Sequence, residues 1–338
     1  MPTVDVVIPC YRYGRFLPAC VASVIGQSLP DVRILIIDDA SDDDSAVVAR
    51  TLAAADPRIE VRVHARNHGH IATYNEGIAW AASDGFLILS ADDVLAPGAL
   101  KRAAAVLARH PEVSLTYGAC ERFPADGHPP PEPDPEAPGT WTVEPGAAFV
   151  ARACRTASAP VDVPTAVVRT AAQKRVGGYR PDLPHAGDLE MWLRLAADGA
   201  VARTDRIQGY WRRHPDSMSE VACHDVLLDY RQRAAAFESF FAGAGGRMEG
   251  AEALRRAAFT AIGEQAYWTA LARLARGDRA ASAELLAMVR RFAPATRFVP
   301  PLLRLLRTPT LGAKVRGLVR DTVGRGRDRS SRRAMWPS

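Results

Sequence analysis

Short apolar runs alternate along residues 1–120 with segments in which apolar residues recur every three or four positions. Runs of the first kind predict buried strands of a parallel sheet, and segments of the second kind predict helices packed on its faces. The predicted strands are residues 4–9, 33–38, 59–64, 86–90 and 113–117. Strands that alternate with helices imply βαβ units with right-handed crossovers. The pattern therefore predicts an α/β fold with a mostly parallel sheet.

Beyond residue 120 the pattern changes twice. Residues 124–138 contain seven prolines, which predicts an exposed and partly extended loop. Periodic structure resumes at residue 144 with a predicted helix, and from residue 224 onward the pattern is wholly helical. We therefore predict a domain at 1–221, built from halves 1–120 and 141–221 around the 124–140 loop. A helical appendage at 222–295 and a basic amphipathic tail at 296–338 follow.

Charge is distributed unevenly along the chain. The formal net charge is +5, but residues 302–338 hold ten Lys or Arg against two Asp, so this segment is +8 and the remainder −3. Apolar residues precede these charges, and basic plus apolar surface is typical of attachment to an anionic membrane. A solubilising tail is the alternative. The segment contains one aromatic residue, Trp336, and no recognisable motif, so no specific nucleic-acid binding is expected.

The cysteines and the hydropathy of the chain indicate its cellular location. The five cysteines are scattered and show no C-x-x-C spacing, which favours reduced thiols over a disulfide framework or a zinc site. No signal peptide is visible, and no apolar stretch approaches the roughly 18 residues that a membrane span needs. We expect a cytoplasmic protein with peripheral contact to the inner face of the membrane.

Paired aspartates follow two of the predicted strands. Asp38 and Asp39 end the run ILIIDD, and Asp92 and Asp93 end the run LILSADD. In open α/β sheets, ligands bind outside the carboxyl ends of the strands. Carboxylates there can accept a hydrogen bond from a base or sugar at one point and hold a divalent metal at the other. The alternative is that they only start turns and cap helices.

Five ordered segments carry a resemblance to a known family. They are VVIPCYRYGRFLPACVASVIGQS, ILIIDDASDDDS, NHGHIATYNEGIAWAASDGFLILSADD, AGDLEMWLRL and YWRRHPDSMS. Together they closely resemble the family 2 glycosyltransferases, which are inverting enzymes of the GT-A fold, over residues 4–219. The resemblance implies a Rossmann-like sheet flanked by helices. It also implies transfer of a sugar from a nucleotide diphosphate sugar to an acceptor hydroxyl. The helical region beyond residue 221 is not covered.

The resemblance assigns a nucleotide site to the first half. Its residues would be Pro9 and Tyr11 along the base, Asp39 at the base edge, Arg66 and Asn67 near ribose or phosphate, and Asp92. A carboxylate only accepts hydrogen bonds, whereas N3–H of uracil or thymine donates one, so a UDP- or dTDP-sugar is favoured. Gly69, Asn75 and Gly77 match the same motifs, with helix-cap and turn duties as the alternative.

The resemblance also assigns the metal and the chemistry. Asp92 and Asp93, with His214, would hold Mn²⁺ or Mg²⁺. Asp188, at the start of a helix, would be the general base that takes the proton of the acceptor hydroxyl. Candidate diphosphate contacts are Ser217 with Ser219, supported by Arg213 or Arg212. The chain departs from the family pattern at Ser90 and Gly187, where many relatives carry acidic residues.

A nucleotidylyltransferase and an inactive binding module are the alternatives to a glycosyltransferase. A nucleotidylyltransferase of similar fold usually carries a Gly- and Lys/Arg-rich loop after its first strand, and here that position is Pro9-Cys10-Tyr11. An inactive nucleotide- or carbohydrate-binding module would not need Asp92, Asp93 and Asp188 together. The acceptor, either a carbohydrate or a lipid-linked molecule of cell-surface polysaccharide or glycolipid assembly, has no readable code in the sequence.

Overall fold

A sheet of nine strands organises the computed structural model, which describes residues 3–130, 134, 137–215, 217 and 225–302. The strands are β1 (Val4–Cys10), β2 (Val32–Asp38), β3 (Ile59–Val63), β4 (Gly85–Ile88), β5 (Val94–Leu95), β6 (Val113–Pro124), β7 (Trp141–Glu144), β8 (Val167–Arg169) and β9 (Ala200–Arg213). Their order across the sheet is β3-β2-β1-β4-β8-β6-β9-β5, and β7 pairs with β9.

The first half of the sheet is parallel, and its strands β1 and β4 are almost wholly buried. Strand β1 lies between β2 and β4 and runs parallel to both, and β2 pairs in parallel with β3. Val6, Ile8, Ile34 and Ile36 have no solvent exposure. A strand covered by helices on both faces must be apolar on both sides, which is why these strands read as continuous apolar runs.

The second half is mixed. Strand β8 is antiparallel to β4 and β6, while β6 runs parallel to β9, and β5 and β7 are antiparallel to β9. The prediction of an α/β fold is confirmed, but parallel pairing is confined to four of the eight strand pairs. The two-residue strand β5 is too short to show an alternating pattern, so the sequence did not indicate it.

Helices cover both faces of this sheet and continue beyond it. They are α1 (Leu17–Ile25), α2 (Ser45–Ala55), α3 (His70–Trp80), α4 (Ala99–Arg109), α5 (Gly146–Thr156), α6 (Thr170–Val176), α7 (Gly187–Asp198), α8 (Val226–Ala242), α9 (Ala251–Ala275) and α10 (Arg279–Phe292). The region predicted to be wholly helical from residue 224 contains α8, α9 and α10. Helix α2 begins at Ser45, and Ser41 Oγ accepts a hydrogen bond from Arg12 N at 2.9 Å.

The chain forms two compact units, residues 1–262 and 263–338. The division falls within α9, so the boundary predicted at residues 221–222 stays a prediction. Within the second unit, Leu285 and Val289 of α10 are buried. Among the residues that the structure describes, no helix is both long enough and apolar enough to cross a bilayer. The basic tail from residue 303 onward lies outside the described residues.

Candidate active site

A cavity of about 910 Å³ opens where β1, β2 and β4 end. Its walls include the predicted site residues Pro9, Tyr11, Asp39, Asn67, Asp92, Asp93, Asp188 and Ser217. Arg66 and Arg213 are exposed and do not line it, and His214 lies buried behind Asp92. Ser219 lies outside the described residues. The carboxyl ends of neighbouring parallel strands share one edge of a sheet, which is why residues from three separate strands meet here.

Asp39 is held by donors from the loop between β3 and α3. Its Oδ1 accepts from His68 N at 2.8 Å and its Oδ2 from Gly69 N at 2.8 Å, while His64 Nδ1 lies 2.6 Å from Oδ1. Gly69 has φ +84°, a left-handed conformation that glycine adopts without strain. Burial opposes the charged form of Asp39, but these bonds outweigh it and lower its pKa. Asp39 is therefore a charged acceptor at neutral pH.

The turn after β1 forms the wall opposite this loop. Tyr11 lines the cavity with 40% of its surface exposed, so a ring face is available for a base to stack on. Arg12 has φ 59°, and its guanidinium pairs with Asp42. Asp42, an exposed aspartate that follows β2, is therefore engaged in a surface ion pair.

Asp92 and Asp93 are buried beside a cation. Arg212 Nε donates to the carbonyl of Asp92 at 2.9 Å, and Arg212 N donates to Asp93 Oδ1 at 3.1 Å. Burial and the adjacent Asp92 charge raise the pKa of Asp93, and Arg212 only partly offsets them. The buried guanidinium also lies 4.7 Å from the ring centre of Phe16 and 4.4 Å from that of Phe123. Arg212, one of the two arginines considered at this position, therefore touches both aspartates.

His214 supports Asp92 from behind. Its Nε2 lies 2.9 Å from Asp92 Oδ2, and its ring packs 4.9 Å from Phe16 and 5.3 Å from Tyr13. Asp92 Oδ1 is buried and, among the described residues, has no hydrogen-bond partner. A buried carboxylate oxygen without a partner is costly unless a ligand completes it.

The acidic pair fits a divalent cation. Within the described part of the chain, no three His, Cys, Asp or Glu side chains converge on one point. Mg²⁺ does not require such a cage, because it is usually bound through one or two carboxylates together with substrate phosphates and water. Asp92 Oδ1 is the oxygen left for it. Carboxylate oxygens suit Mn²⁺ as well.

Asp188 lies in the first turn of α7 and lines the cavity. Its Oδ1 is buried and has no hydrogen-bond partner among the described residues. Burial raises the pKa of Asp188, while a hydrogen bond from Tyr179 and the nearby His70 act in the opposite direction. A carboxylate with raised pKa in a cleft has the properties of a general base.

Tyr179 is a candidate site residue, because its hydroxyl bonds Asp188, and the sequence did not indicate it. Asn75 forms two hydrogen bonds with the main chain of Tyr179. Its Nδ2 donates to Tyr179 O at 2.9 Å, and its Oδ1 accepts from Tyr179 N at 2.6 Å. The ring of Tyr179 packs edge-on against Tyr74 at 5.3 Å. Asn75 therefore holds the residue that bonds Asp188. The matching Asn-x-Gly motif was the available signal, but its partner lies 104 residues away.

Gly77 and Glu190 serve packing. A Cβ at position 77 would lie 2.5 Å from Val7 Cγ1, so Gly77 allows α3 to approach β1 closely. Glu190 is buried, pairs with Arg194 at 2.8 Å and also accepts from Ser239 Oγ at 3.0 Å. The buried face of α7 includes Leu189, Trp192 and Leu193.

Comparisons with known proteins show similarity to glycosyltransferases. The profile of glycosyl transferase family 2 matches residues 5–166. An uncharacterized glycosyltransferase of Nostoc sp. is 34% identical over 99 residues, which are 29% of this chain and 31% of that protein. The chain spans about a third of the length of the first curated relatives it matches. Activity therefore does not follow from these matches alone.

Solved structures share the fold. The mannosyltransferase PcManGT from Pyrobaculum calidifontis, in complex with GDP-Man and Mn²⁺, aligns with a TM-score of 0.57 at 18% identity, over 95% of this chain and 87% of that one. Residues 1–349 of S. aureus TarS, in complex with UDP-GlcNAc, align with a TM-score of 0.54 at 16% identity, over 87% of this chain and 91% of that one. The expected GT-A fold is confirmed.

Proposed function

Because residues 5–166 form a domain that belongs to glycosyl transferase family 2, we propose that this chain transfers a sugar from a nucleotide diphosphate sugar to an acceptor hydroxyl. One observation carries the proposal. Asp39, the Asp92–Asp93 pair and Asp188 line a single cavity, although they come from different parts of the chain. Such a cavity supplies a base acceptor, a centre for the diphosphate and a proton acceptor within reach of one ligand.

The proposed reaction is a direct displacement with inversion at the anomeric carbon. Asp188 takes the proton of the acceptor hydroxyl, and the freed oxygen forms a bond to that carbon. The bond from the anomeric carbon to the diphosphate breaks on the opposite side, and its electrons leave with the diphosphate. The raised pKa of Asp188 makes its carboxylate a better proton acceptor than an ordinary aspartate.

The diphosphate leaves with negative charge that must be neutralised. We assign a divalent cation, Mn²⁺ or Mg²⁺, to Asp92 and Asp93, with His214 holding Asp92 in place. When bound, such a cation would offset the charge of the diphosphate. The chain's own cation at this position is Arg212, which bonds the main chain of Asp92 and is itself buried. Ser217, which is buried and lines the cavity, is the proposed hydroxyl contact to the donor.

The nucleotide is proposed to be UDP or dTDP. Asp39 is charged and faces the cavity beside Tyr11, so it can accept from N3–H of uracil or thymine while the ring stacks. The neighbouring structures were solved with UDP-GlcNAc and with GDP-Man, so the fold alone accommodates both kinds of nucleotide. Asn67 is the proposed ribose or phosphate contact. Arg66, which is exposed outside the cavity lining, is proposed only to contribute long-range attraction.

The acceptor is proposed to be a carbohydrate or a lipid-linked molecule presented at a membrane surface. Phe298, Val299 and Leu302 are exposed apolar residues at the point where the described chain ends. Ten basic residues follow in residues 302–338. Apolar and basic residues together favour an anionic interface, which would bring the enzyme to a lipid-linked acceptor.

A donor screen tests the function. The purified chain would be incubated with UDP-, dTDP- and GDP-sugars, with Mn²⁺ or with EDTA, and release of the nucleoside diphosphate would be measured. Release from one donor class, dependent on the cation and accelerated by an acceptor, supports transfer. Release of pyrophosphate from nucleoside triphosphate and sugar phosphate would instead indicate a nucleotidylyltransferase. Tight donor binding without turnover on any acceptor would indicate a binding module.

A further inference from the structure

The hydrogen-bonding capacity of Asp39 is almost used up by the protein itself. A carboxylate offers about four lone-pair positions, two on each oxygen. Oδ1 receives His64 Nδ1 at 2.6 Å and His68 N at 2.8 Å, and Oδ2 receives Gly69 N at 2.8 Å. Counting these bonds among the described residues, Oδ1 is full and Oδ2 retains one position for a ligand.

One of these three donors is a side chain that is itself held firmly. His64 Nε2 lies 2.8 Å from Glu76 Oε2, and Arg62 Nη1 donates to Glu76 Oε1 at 3.1 Å. The His64 ring stacks on His68 with centres 4.8 Å apart. His64 does not line the cavity. Any effect it has on a ligand must therefore pass through Asp39.

The two carboxylates around His64 keep its Nδ1 a donor. Burial alone would lower the pKa of His64, but its hydrogen bonds to Asp39 and Glu76 outweigh burial and raise it. With a carboxylate facing each ring nitrogen, the protonated ring donates on both sides. The position it occupies on Asp39 Oδ1 is thus closed to other donors.

Bases differ in how many donors they present to such a carboxylate. The edge of uracil or thymine presents one, N3–H, whereas the edge of guanine presents two in parallel, N1–H and the 2-amino group. Guanine needs a free position on each oxygen, and Asp39 has none on Oδ1. A donor buried against a filled acceptor loses its hydrogen bond to water without gaining another.

We propose that His64 is a specificity-determining residue that acts on the base through Asp39. By filling Oδ1 it leaves a single acceptor position, which favours nucleotides whose base has one donor at this edge and disfavours guanine. The inference rests on the proposed function, because it concerns the base subsite of the same cavity. It assigns uridine or thymidine diphosphate sugars as the donor class.

The test compares nucleotides that differ only in the number of donors. Dissociation constants of UDP, GDP and IDP are measured by calorimetry on the full chain with Mn²⁺. Hypoxanthine has the size of guanine and its N1–H but lacks the 2-amino group, so the GDP-to-IDP comparison removes base size. We expect the wild type to bind UDP most tightly and GDP no more tightly than IDP.

Substitution of His64 should open the second position. In His64→Ala, GDP is expected to gain about tenfold in affinity relative to IDP, the worth of one hydrogen bond to a charged group. His64→Asn carries an amide nitrogen in place of Nδ1 and should restore the wild-type ratio. His68→Ala is the matched control, because His68 donates to Asp39 through its main chain and the ratio should not change.

The outcomes separate this inference from the proposed function. A wild type that binds none of the three nucleotides overturns both. A wild type that binds UDP but prefers GDP to IDP tenfold overturns the inference alone, without reference to any variant. If His64→Ala weakens all three nucleotides equally, His64 merely supports the fold and does not select the base.

Discussion

Asp93 and Asp188 are both buried carboxyls, yet their neighbours differ in a way that suits different tasks. Asp93 accepts from Arg212 N at 3.1 Å and lies next to a second carboxylate. Asp188 has one oxygen without a hydrogen-bond partner among the described residues and has Tyr179 on the other side. A carboxylate beside a cation and a second acid suits a metal, whereas an isolated carboxylate with a free lone pair suits proton transfer.

Replacement of the proposed base should separate binding from chemistry. Asp188→Asn should retain donor affinity and lower the transfer rate by about 10² or more, since general bases contribute roughly 10²–10⁴. Donor binding by calorimetry and turnover by nucleoside diphosphate release would be measured together. Near wild-type turnover would assign the base elsewhere. Glu190 is a poor substitute, because Arg194 and Ser239 occupy its carboxylate.

The pH profile should respond to Tyr179. Its hydroxyl donates to Asp188 and stabilises the charged form, so its removal raises the pKa of Asp188 further. In Tyr179→Phe, the acid limb of kcat/KM should move to higher pH, because the base must lose its proton to act. Tyr74→Phe is a matched control, since Tyr74 packs on Tyr179 without bonding Asp188 in the interactions described. An unmoved acid limb in Tyr179→Phe would contradict this role.

The cation should contribute to nucleotide binding through Asp92. EDTA is expected to weaken UDP binding by the wild type severalfold, because the diphosphate loses its counter-charge. Asp92→Asn should bind UDP weakly with or without EDTA. Calorimetry in Mn²⁺ and in EDTA would measure both proteins. Tight binding by the wild type that is indifferent to EDTA would exclude the assigned metal role.

At the scale of elements, helix α3 connects three parts of the molecule through consecutive residues. Asn75 forms hydrogen bonds with the main chain of Tyr179, Glu76 bonds the ring of His64, and Gly77 packs on Val7 of β1. Successive residues of an α-helix point about 100° apart, so three neighbours in sequence necessarily face three directions. One turn of α3 thereby positions the proposed base, the acceptor of the nucleotide base and the centre of the sheet.

Because α3 packs closely on β1, a methyl group added at Gly77 should lower the stability of the fold. Gly77→Ala gains about 1 kcal/mol in helix propensity but places a Cβ 2.5 Å from Val7 Cγ1. Overpacking costs about 1–3 kcal/mol, so the free energy of unfolding should fall. Urea denaturation would measure it. In a Val7→Ala background only Val7 Cβ remains close to the added methyl group, at 3.1 Å, so the same substitution should cost less free energy of unfolding. A loss of similar size in both backgrounds would contradict this explanation.

At the scale of the whole molecule, charge separates the tail from the rest of the chain. Residues 302–338 carry +8 while the remaining residues sum to −3. Each basic residue near an anionic leaflet contributes on the order of 1 kcal/mol, and salt screens this attraction. Membrane contact through residues 302–338 stays a prediction.

Sedimentation with vesicles tests it. The full chain should co-sediment with anionic vesicles at low salt and dissociate as salt is raised. A chain that ends at Pro300 should remain in solution, and neutral vesicles should retain neither protein strongly. Equal co-sedimentation of both proteins would show that the tail is no anchor.

Local pattern determined much of this protein. Apolar runs and helical periodicity predicted five of the six strands that begin within residues 1–120, and the helices between them, because burial on a sheet or helix face imposes a regular spacing. The aspartates at strand ends could also be located, since parallel strands end on one edge of their sheet. The sequence did not indicate β5 or β7, because both strands are short. It also did not indicate that β8 pairs antiparallel with its neighbours, because periodicity does not report strand direction.

Only the tertiary structure decided which side chains meet. Asn75 and Tyr179 are 104 residues apart, and Arg212 and Asp93 are 119 apart. Periodicity reports which face of an element is buried, but not which distant residue will lie against it. The donor that fills Asp39 and the hydroxyl that bonds Asp188 depend on how β3, α3 and α7 pack together. That packing is a property of the assembled fold, because a hydrogen bond forms only when both partners arrive within about 3 Å of each other.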